Sequence, residues 1–400
     1  MGCSGDTMYE NINNNFITAE IIINQDNLNC QIINSINYFM SLNPSFSLED
    51  EDYEDGKEQE QELKNSDIFI NEKKIKFDYF YEFKKRGKYK IKYIFQNPLT
   101  SLKFLFYNCE NIITLDFSKF NSTKITNIDY AFGECANLIN INFNNFDTTN
   151  IKSMKYVFNH CTSLQYLNLS SFSFENTISV EGMFYRCENL KNIHFNEIIN
   201  SAKLKSMRNF FQDCRNLEKI DLSNFNTENV EDFGNMFGNC QKLKNLDLSN
   251  FCTKNAQNMA FMFDNCHKLK NLNISNFETK KVITIQYMFN NCYSITKLDL
   301  KKFNTENVTN FTFMFLNCYS LAYLDISNFN INKAICIDNM FGGCSSLISL
   351  DISHFNFHEN LFTANLFSDC YSLIYVVLPE SDKSCDFNSM FTNCNSLIHK

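Results

Sequence analysis

Residues 235–258 read NMFGNCQKLKNLDLSNFCTKNAQN, and this stretch returns along the chain in register. Its cysteine recurs at 109, 135, 161, 187, 214, 240, 266, 292, 318, 344, 370 and 394, in steps of 26 residues apart from one of 27 and one of 24. Phe stands three residues before every one of these cysteines, from Phe106 to Phe391, and Leu or Ile stands three residues after each. A fixed period of this length marks stacked units, in which no coil buries its apolar edge until a neighbour covers it. Leu246-Asp247-Leu248, with its equivalents Leu298-Asp299-Leu300 and Leu324-Asp325-Ile326, alternates apolar, polar, apolar, the pattern of a short strand with one buried face. Eleven such strands from Leu115 onward, paired in parallel about 4.8 Å apart, predict a ribbon roughly 50 Å long. Phe, Cys and Leu three apart fall on one face of a short helix, which is expected to form the opposite wall. A second regular Phe after the strand (Phe120, Phe146, Phe172, Phe225, Phe251, Phe277, Phe303, Phe329, Phe355) is expected to stack into an internal aromatic column. The two series account for much of a composition with 42 Phe and no Trp.

The expected fold class is therefore an α/β repeat solenoid, leucine-rich-repeat-like, with one short parallel strand and one short helix per repeat and a β-rich N-terminal cap. The unit MFxxCxxLxxLDLSxFxT resembles the BspA-like leucine-rich repeat class of bacterial surface proteins and large protist families, over residues 99–400. The resemblance implies a right-handed solenoid acting in adhesion or protein interaction, without enzymatic activity, and supplies no functional residues. This chain is expected to depart from the exported bacterial members in location, because MGCSGDTMYENINNNF lacks the charged and apolar regions of a secretory signal.

Outside the repeats, residues 1–48 form a small N-terminal segment, in which Ala19 to Tyr38 holds short apolar runs suited to a strand or part of a cap. Residues 49–66 carry the run EDEDYEDGKEQEQE, expected as a solvated acidic linker or a docking segment for a basic partner. In residues 67–97, Lys88 to Phe95 alternates strictly after a turn at Gly87, and pairing with Ile75 to Phe83 predicts a β-hairpin that caps the first coil. The solenoid occupies residues 98–400. Its last coil stops at Leu397-Ile398-His399-Lys400, so that end either caps by its own irregularity or self-associates.

A net charge of −9 with scattered basic residues argues against nucleic-acid binding, which needs a clustered Lys/Arg face. No apolar run reaches the ~18 residues of a transmembrane helix. The chain is expected in the cytoplasm, the alternative being the cell surface or a lipid anchor through Gly2 and Cys3, although Asp6 stands where an acylation motif wants Ser or Thr. The repeat cysteines read as buried packing and not as nucleophiles, with inter-coil disulfides conceivable in an exported protein. Cys3, Cys30, Cys252, Cys336 and Cys385, out of register, are the candidates for exposed thiols. His354 and His358 lack two further ligands nearby, and no phosphate-cradling, dinucleotide or hydrolase motif occurs, so no catalytic, metal or cofactor site is expected. The sequons at Asn121, Asn168, Asn273, Asn307 and Asn310 follow from an Asn-rich repeat.

One row carries a functional expectation. The outward residue of each strand is Asp116, Asn142, Asn168, His194, Asp221, Asp247, Asn273, Asp299, Asp325 or Asp351. Carboxylates at Asp116, Asp221, Asp247, Asp299, Asp325 and Asp351, one strand spacing apart, repel one another and suit a cationic partner. The competing reading is a structural ladder in which Ser two positions on (Ser118, Ser223, Ser249, Ser327, Ser353) hydrogen-bonds them. The function expected from these observations is non-enzymatic protein–protein interaction through the strand face, with a surface-exposed adhesin as the alternative.

Overall fold

Each period closes one coil, and successive coils are tied together chiefly along the wall that contains the repeat cysteine. The structure is a computed structural model and describes residues 15–24, 27–46, 50–197, 199–379 and 387–398. Two units, Met1–Ile199 and Asn200–Lys400, are each built of β-solenoid coils with few helices. In the cysteine wall the expected helix does not form. Two residues per coil sit there in the left-handed region, for example Asn235 (φ 56°) with Asn239 (φ 61°) and Tyr287 (φ 58°) with Asn291 (φ 55°). A left-handed residue at every fourth position interrupts the i→i−4 ladder. The amides divide instead. Asn235, Phe237 and Asn239 N–H donate one coil onward, to the carbonyls of Ala260, Met262 and Asp264 at 2.9, 2.9 and 2.7 Å. Met236, Gly238 and Cys240 N–H donate back three residues, to Phe233, Asn235 and Phe237 at 3.2, 3.0 and 3.1 Å. Alternate amides thus close tight turns and join coils, and Phe and Cys share a face because of the turns.

The expected unbroken ribbon is also corrected. Parallel ladders join β7 (Ile112–Asp116) to β8 (Asn140–Asn142), β9 (Tyr166–Leu169) to β10 (Asn192–Phe195), β11 (Asn245–Asp247) to β12 (Asn271–Asn273) and β13 (Ser349–Asp351) to β14 (Tyr375–Val377). Residues 219–221, 297–299 and 323–325 carry no ladder. The segments are only three or four residues long in most coils, and the cysteine wall already holds the coils together with more amides than they do.

The most continuous aromatic column is that of the Phe preceding the cysteine. Phe211, Phe237, Phe263, Phe289, Phe315, Phe341, Phe367 and Phe391 stack with centroids 5.2–5.8 Å apart. In the first unit Phe106, Phe132, Phe158 and Phe184 stack likewise, at 6.3, 5.5 and 5.6 Å. The Phe after the strand stacks at Phe120–Phe146–Phe172 and Phe303–Phe329. Polar repeat positions serve the same stacking. Thr253 Oγ1 donates to the Glu278 carbonyl (3.0 Å) and accepts from the Glu278 N–H (2.8 Å), and Asn255 Nδ2 donates to the Glu228 carbonyl (2.8 Å). A buried hydroxyl that pairs both backbone groups of the next coil avoids the cost of leaving them unsatisfied.

The N-terminal cap is built differently from the expected hairpin. β1 (Phe16–Ile23) buries Ile17, Ala19, Ile21 and Ile23 on one face and lies antiparallel between β6 (Gly87–Ile94) and β7. Further out, β3 (Asp67–Ile70) pairs β6 and β4 (Lys73–Ile75), while β5 (Phe80–Glu82) leaves to pair β2 (Asn29–Gln31). The sheet order β4-β3-β6-β1-β7-β8 therefore covers the edge of the first repeat strand with residues from the far N-terminus. Local alternation finds β6 but cannot choose its partner, and β1, whose alternation buries Ile17, Ala19, Ile21 and Ile23 on one face, is the better complement to the buried Ile91 and Tyr93 than the 75–83 stretch, which carries Lys76, Asp78 and Glu82 among its aromatics.

The acidic run is a helix and not a linker. α1 (Ile36–Leu42) is followed by α2 (Asp50–Lys64), which buries Gln59 and Leu63, four apart on one face. Gln59 accepts from Ile36 N–H (2.9 Å) and donates to the carbonyls of Ser101 (3.2 Å) and Lys103 (2.9 Å) in the first coil. Glu60 accepts from Ser35 and Tyr79 hydroxyls at 2.7 and 2.5 Å. Glu62, beside Thr100 N–H, has its carboxyl pushed up to about 7 by burial. Its proton is held more tightly in the folded than in the unfolded chain, where a Glu titrates near 4.3, so folding takes up a proton between those values. Stability from this group is present at low pH and falls as pH rises through about 7. Denaturant titrations from pH 5 to 8 are expected to show that decline, and Glu62→Gln is expected to flatten it; an unchanged slope contradicts the assignment.

Candidate functional site

The outward row of Asp and Asn lies where the strand turns into the next segment, and each member caps its own turn. Asp221, Asp247, Asp325 and Asp351 Oδ1 accept from the N–H of Ser223, Ser249, Ser327 and Ser353 at 2.9, 2.9, 3.1 and 2.9 Å. Asp299 accepts from Lys301 N–H (3.2 Å), and Asp116 accepts from Ser118 N–H (2.8 Å) and Asn142 Nδ2 (3.0 Å). These are Asx turns. Bonds from the following Ser hold Asp247, Asp325 and Asp351 below the usual carboxylate range, and the same is true of Asp221. Asp221, Asp247, Asp325 and Asp351 therefore stay ionised at neutral pH. The turn bond occupies one oxygen, and Asp221, Asp247, Asp299, Asp325 and Asp351 remain exposed to solvent.

The structure adds exposed lysines and tyrosines near the Asp row that reading the row alone missed. Lys219 and Lys297 precede Asp221 and Asp299 by two positions on the same face, and Lys244 and Lys270 stand one residue before β11 and β12; all four are exposed. A groove of about 400 Å³ between these coils is lined by Asn245, Asp247, Lys270, Asn273 and Lys297. In later coils the position of Lys219 and Lys297 is taken by Tyr323 and Tyr375, while Tyr319 and Tyr371 directly follow the cysteine. Tyr319, Tyr323, Tyr371 and Tyr375 are 42, 69, 50 and 46% exposed, with Ile374 beside them. His267, Tyr293 and Tyr319 stack ring on ring at 4.5 and 4.8 Å along the same edge. The sequence signal was weak, since these Lys and Tyr stand one, four or five residues after the cysteine, and surface positions in a repeat show their neighbours only when the coils are stacked.

The cysteines are held as scaffold. Sγ–H of Cys135, Cys161 and Cys187 and of every repeat cysteine from Cys240 on donates to the carbonyl of the column Phe one coil earlier, as in Cys240 to Phe211 (3.3 Å), Cys266 to Phe237 (3.2 Å) and Cys292 to Phe263 (3.2 Å). Burial raises the repeat thiols, Cys344 up to about 12 and Cys161 and Cys292 well above the ordinary range. Among the described residues all cysteines are free thiols. Of the out-of-register cysteines, Cys252 and Cys336 are half-buried, whereas Cys30 is buried in β2 against the expectation of exposure; Cys3 and Cys385 lie outside the described residues. Pulse alkylation of the folded protein followed by peptide mass spectrometry is expected to label Cys252 and Cys336 and to spare Cys135 through Cys344 in the repeat series until denaturant is added. Labelling of Cys266 at the rate of Cys336 contradicts the packing argument. His354 and His358 each bond a carbonyl of an earlier coil, Ile326 at 3.1 Å and Ala334 at 2.9 Å.

Coils closed by turns, tied by backbone amides and lined by columns of Phe and Cys define a repeat solenoid of the β type that presents one charged and aromatic strand face. Residues 100–204, 194–297 and 288–400 each match the family described as Mycoplasma protein of unknown function, DUF285, and the chain belongs to that family. No curated protein is matched by the chain. Among solved structures, a likeness at TM-score 0.19 and 17% identity runs to a chain in "Crystal structure of TLR13-ssRNA13 complex", covering 64% of this chain and 44% of that one. No helix among the described residues is long and apolar enough to cross a membrane.

Proposed function

We propose that the chain is a non-catalytic interaction module that binds a protein partner through the strand face of its second unit. The carrying observation is the pair of exposed aromatic side chains at Tyr323 and Tyr375, each five residues after its cysteine in the strand segment, with Tyr319 and Tyr371 exposed in the turns that lead into those segments. Large exposed rings next to small side chains such as Ser320, Ser349 and Ser372 match the composition of protein-recognition surfaces, where Tyr supplies contact area at low entropic cost. The Asp row and the exposed lysines near it add charges that set orientation more than affinity. This reading keeps the protein in the cytoplasm. The BspA-like character of the MFxxCxxLxxLDLSxFxT unit favours a second reading, a surface-exposed adhesin, and protease treatment of intact cells separates the two: digestion of the protein supports the adhesin.

The test is site-specific photocrosslinking in the source cells. A photoreactive residue at Tyr323 or Tyr375 is expected to join the chain to a discrete protein, whereas the same probe at Ile335 or Phe362, exposed but remote in the coil from the strand segment, is expected to give no such product. Tyr323→Ala together with Tyr375→Ala is expected to weaken capture by roughly tenfold or more, the range of aromatic hot-spot losses. Equal crosslinking from both sets of positions refutes the reading.

A further inference from the structure

In the second unit the surface aromatics are interrupted twice in one coil. In the turn directly after the cysteine, His267, Tyr293 and Tyr319 stack in order, the next coil offers Ser345, and the coil after that resumes with Tyr371. Four residues further on, in the strand segment, Tyr323, Ser349 and Tyr375 repeat the pattern. The three coils read YSLAY in 319–323, SSLIS in 345–349 and YSLIY in 371–375. The middle coil is thus recessed at both positions, between two coils that carry a ring at each.

The column itself sets the size of the gap. Centroids 4.5 and 4.8 Å apart with interplanar angles of 8° and 14° describe offset-stacked rings, whose planes lie about 3.5 Å apart at van der Waals contact. Omitting one member leaves the faces of its two neighbours about 7 Å apart, room for one flat ring touching both. Exposure agrees: Tyr293, covered on both faces, is half-buried, while Tyr319 and Tyr371 are 42 and 50% exposed. The Tyr371 hydroxyl donates to Asp369 (3.1 Å), and among the described residues no ring stacks on Tyr371 or on the side of Tyr319 away from Tyr293.

Among the described residues nothing fills this gap. Where the column of Phe104, Tyr130 and Tyr156 loses its ring, at Gly182, the Tyr156 ring lies over the glycine. Tyr319 does not close over Ser345 in that way, since it stays on Tyr293, and the Ser345 hydroxyl turns down toward the Tyr319 carbonyl at 3.5 Å. The backbone below offers no edge for an added strand. Ser349 pairs Tyr375 in the ladder of β13 and β14, Ile348 N–H donates to Ala322 (3.2 Å), and the Ile348 carbonyl accepts from Ile374 N–H (2.8 Å). Recognition at this point falls to ring faces, which prefer another ring.

We infer that the slot over Ser345, between Tyr319 and Tyr371, takes a flat aromatic side chain of the protein partner, completing a column that the chain leaves one ring short. This deepens the strand-face reading and rests on it. The recess over Ser349, between Tyr323 and Tyr375, keeps the same coil open for the segment that carries the ring. A central ring held in a pocket of rings is the form that interface anchors take.

Two probes that differ only in the ring test this on the full chain, N-acetylphenylalaninamide and its saturated counterpart N-acetylcyclohexylalaninamide. The aromatic probe is expected to shift the Ser345 and Ser346 amide resonances saturably, with a dissociation constant on the order of millimolar for a ligand of its size. The puckered probe is expected to bind about tenfold more weakly. Equal binding of the two, or shifts that leave out Ser345 and Ser346, overturns the inference. Ser345→Tyr is expected to complete the stack from within, because Tyr holds the same position in the coils on either side, and to abolish the response of the Ser346 amide. Ser345→Ala leaves the slot open and is expected to keep that response; a Ser346 amide that still responds in Ser345→Tyr overturns the inference. In the source cells Ser345→Tyr is expected to lower capture by the photoreactive probe at Tyr375 by tenfold or more. Undiminished capture refutes the slot and leaves the strand-face reading standing, whereas no capture by the Tyr323 and Tyr375 probes in the otherwise unaltered chain counts against both.

Discussion

Phe263→Ala is expected to destabilise the second unit by about 3–5 kcal/mol, the range for truncating a fully buried Phe. Phe263 is 0% exposed and stacks on Phe237 at 5.8 Å and on Phe289 at 5.6 Å, so truncation opens a cavity that neither neighbour can fill without leaving its own stack. Its carbonyl also accepts both the Cys266 N–H (3.2 Å) and the Cys292 thiol (3.2 Å), so a shift of the backbone at this point is transmitted to two coils. In a stack where coils meet only their neighbours, the loss is local before it is global. Hydrogen exchange is expected to accelerate first in the coils bearing Cys240, Cys266 and Cys292, and denaturant titration to report the full loss. Phe263→Leu, which keeps most of the volume, is expected to cost clearly less. A change under about 1 kcal/mol for the alanine variant shows that the column is not structural.

Gly182→Ala is expected to cost about 2–4 kcal/mol, although it adds a single methyl group. Gly182 has φ 57°, the left-handed value that Tyr130 and Tyr156 adopt at the same point of the two preceding coils with φ 56° and 54°. Any L residue there carries about 1–2 kcal/mol of strain. The larger part is steric: a Cβ on Gly182 lies 2.2 Å from Cε1 and 2.4 Å from Cδ1 of Tyr156, whose ring lies over the glycine while its hydroxyl donates to Glu181 (3.1 Å). Overpacking of this kind adds about 1–3 kcal/mol. Placing Gly182→Ala in a Tyr156→Ala background removes the clash and leaves the backbone strain, so a double-mutant cycle is expected to show favourable coupling. Strict additivity indicates that the ring moves aside without cost, and the steric account then fails.

The core was legible because its signals are local and repeated. Phe263, Cys266 and Leu269 occur at fixed spacing in every coil, and the structure buries all three. The wall they belong to was misread as a helix, since a spacing of three is shared by a helix face and by tandem turns. The distinction lies in φ at Asn235 and Asn239, whose left-handed conformations are tolerated by Asn and reinforced by bonds to Ala260 and Asp264 one coil away. The cap was half legible: β6 alternates visibly, but β1 becomes its partner only through a pairing across the length of the cap, Ile21 with Tyr89 and Ala19 with Ile91. The acidic run was read from its charge, and its helix depends on Gln59, whose three hydrogen bonds go to Ile36, Ser101 and Lys103.

The candidate site divides in the same way. The Asp row and the Ser that follows it stand in the sequence, and the turn between them forms from neighbouring residues, so Asp247 and Ser249 could be paired without a structure. The groove that joins Asp247, Lys270 and Lys297 assembles residues from separate coils, and nothing local marks them as neighbours.

By itself the sequence determined the coil length, the register of the stack and the residues turned inward, because a 26-residue period repeated through twelve cysteines leaves one way to bury the Phe and Cys. The tertiary structure alone decided how the backbone of each coil divides its hydrogen bonds, which strand seals the first coil, and which surface side chains share a face. The physical reason is distance along the chain: the deciding partners lie 25–29 residues away in the stack, or farther still in the cap, and such contacts exist only once neighbouring elements have packed.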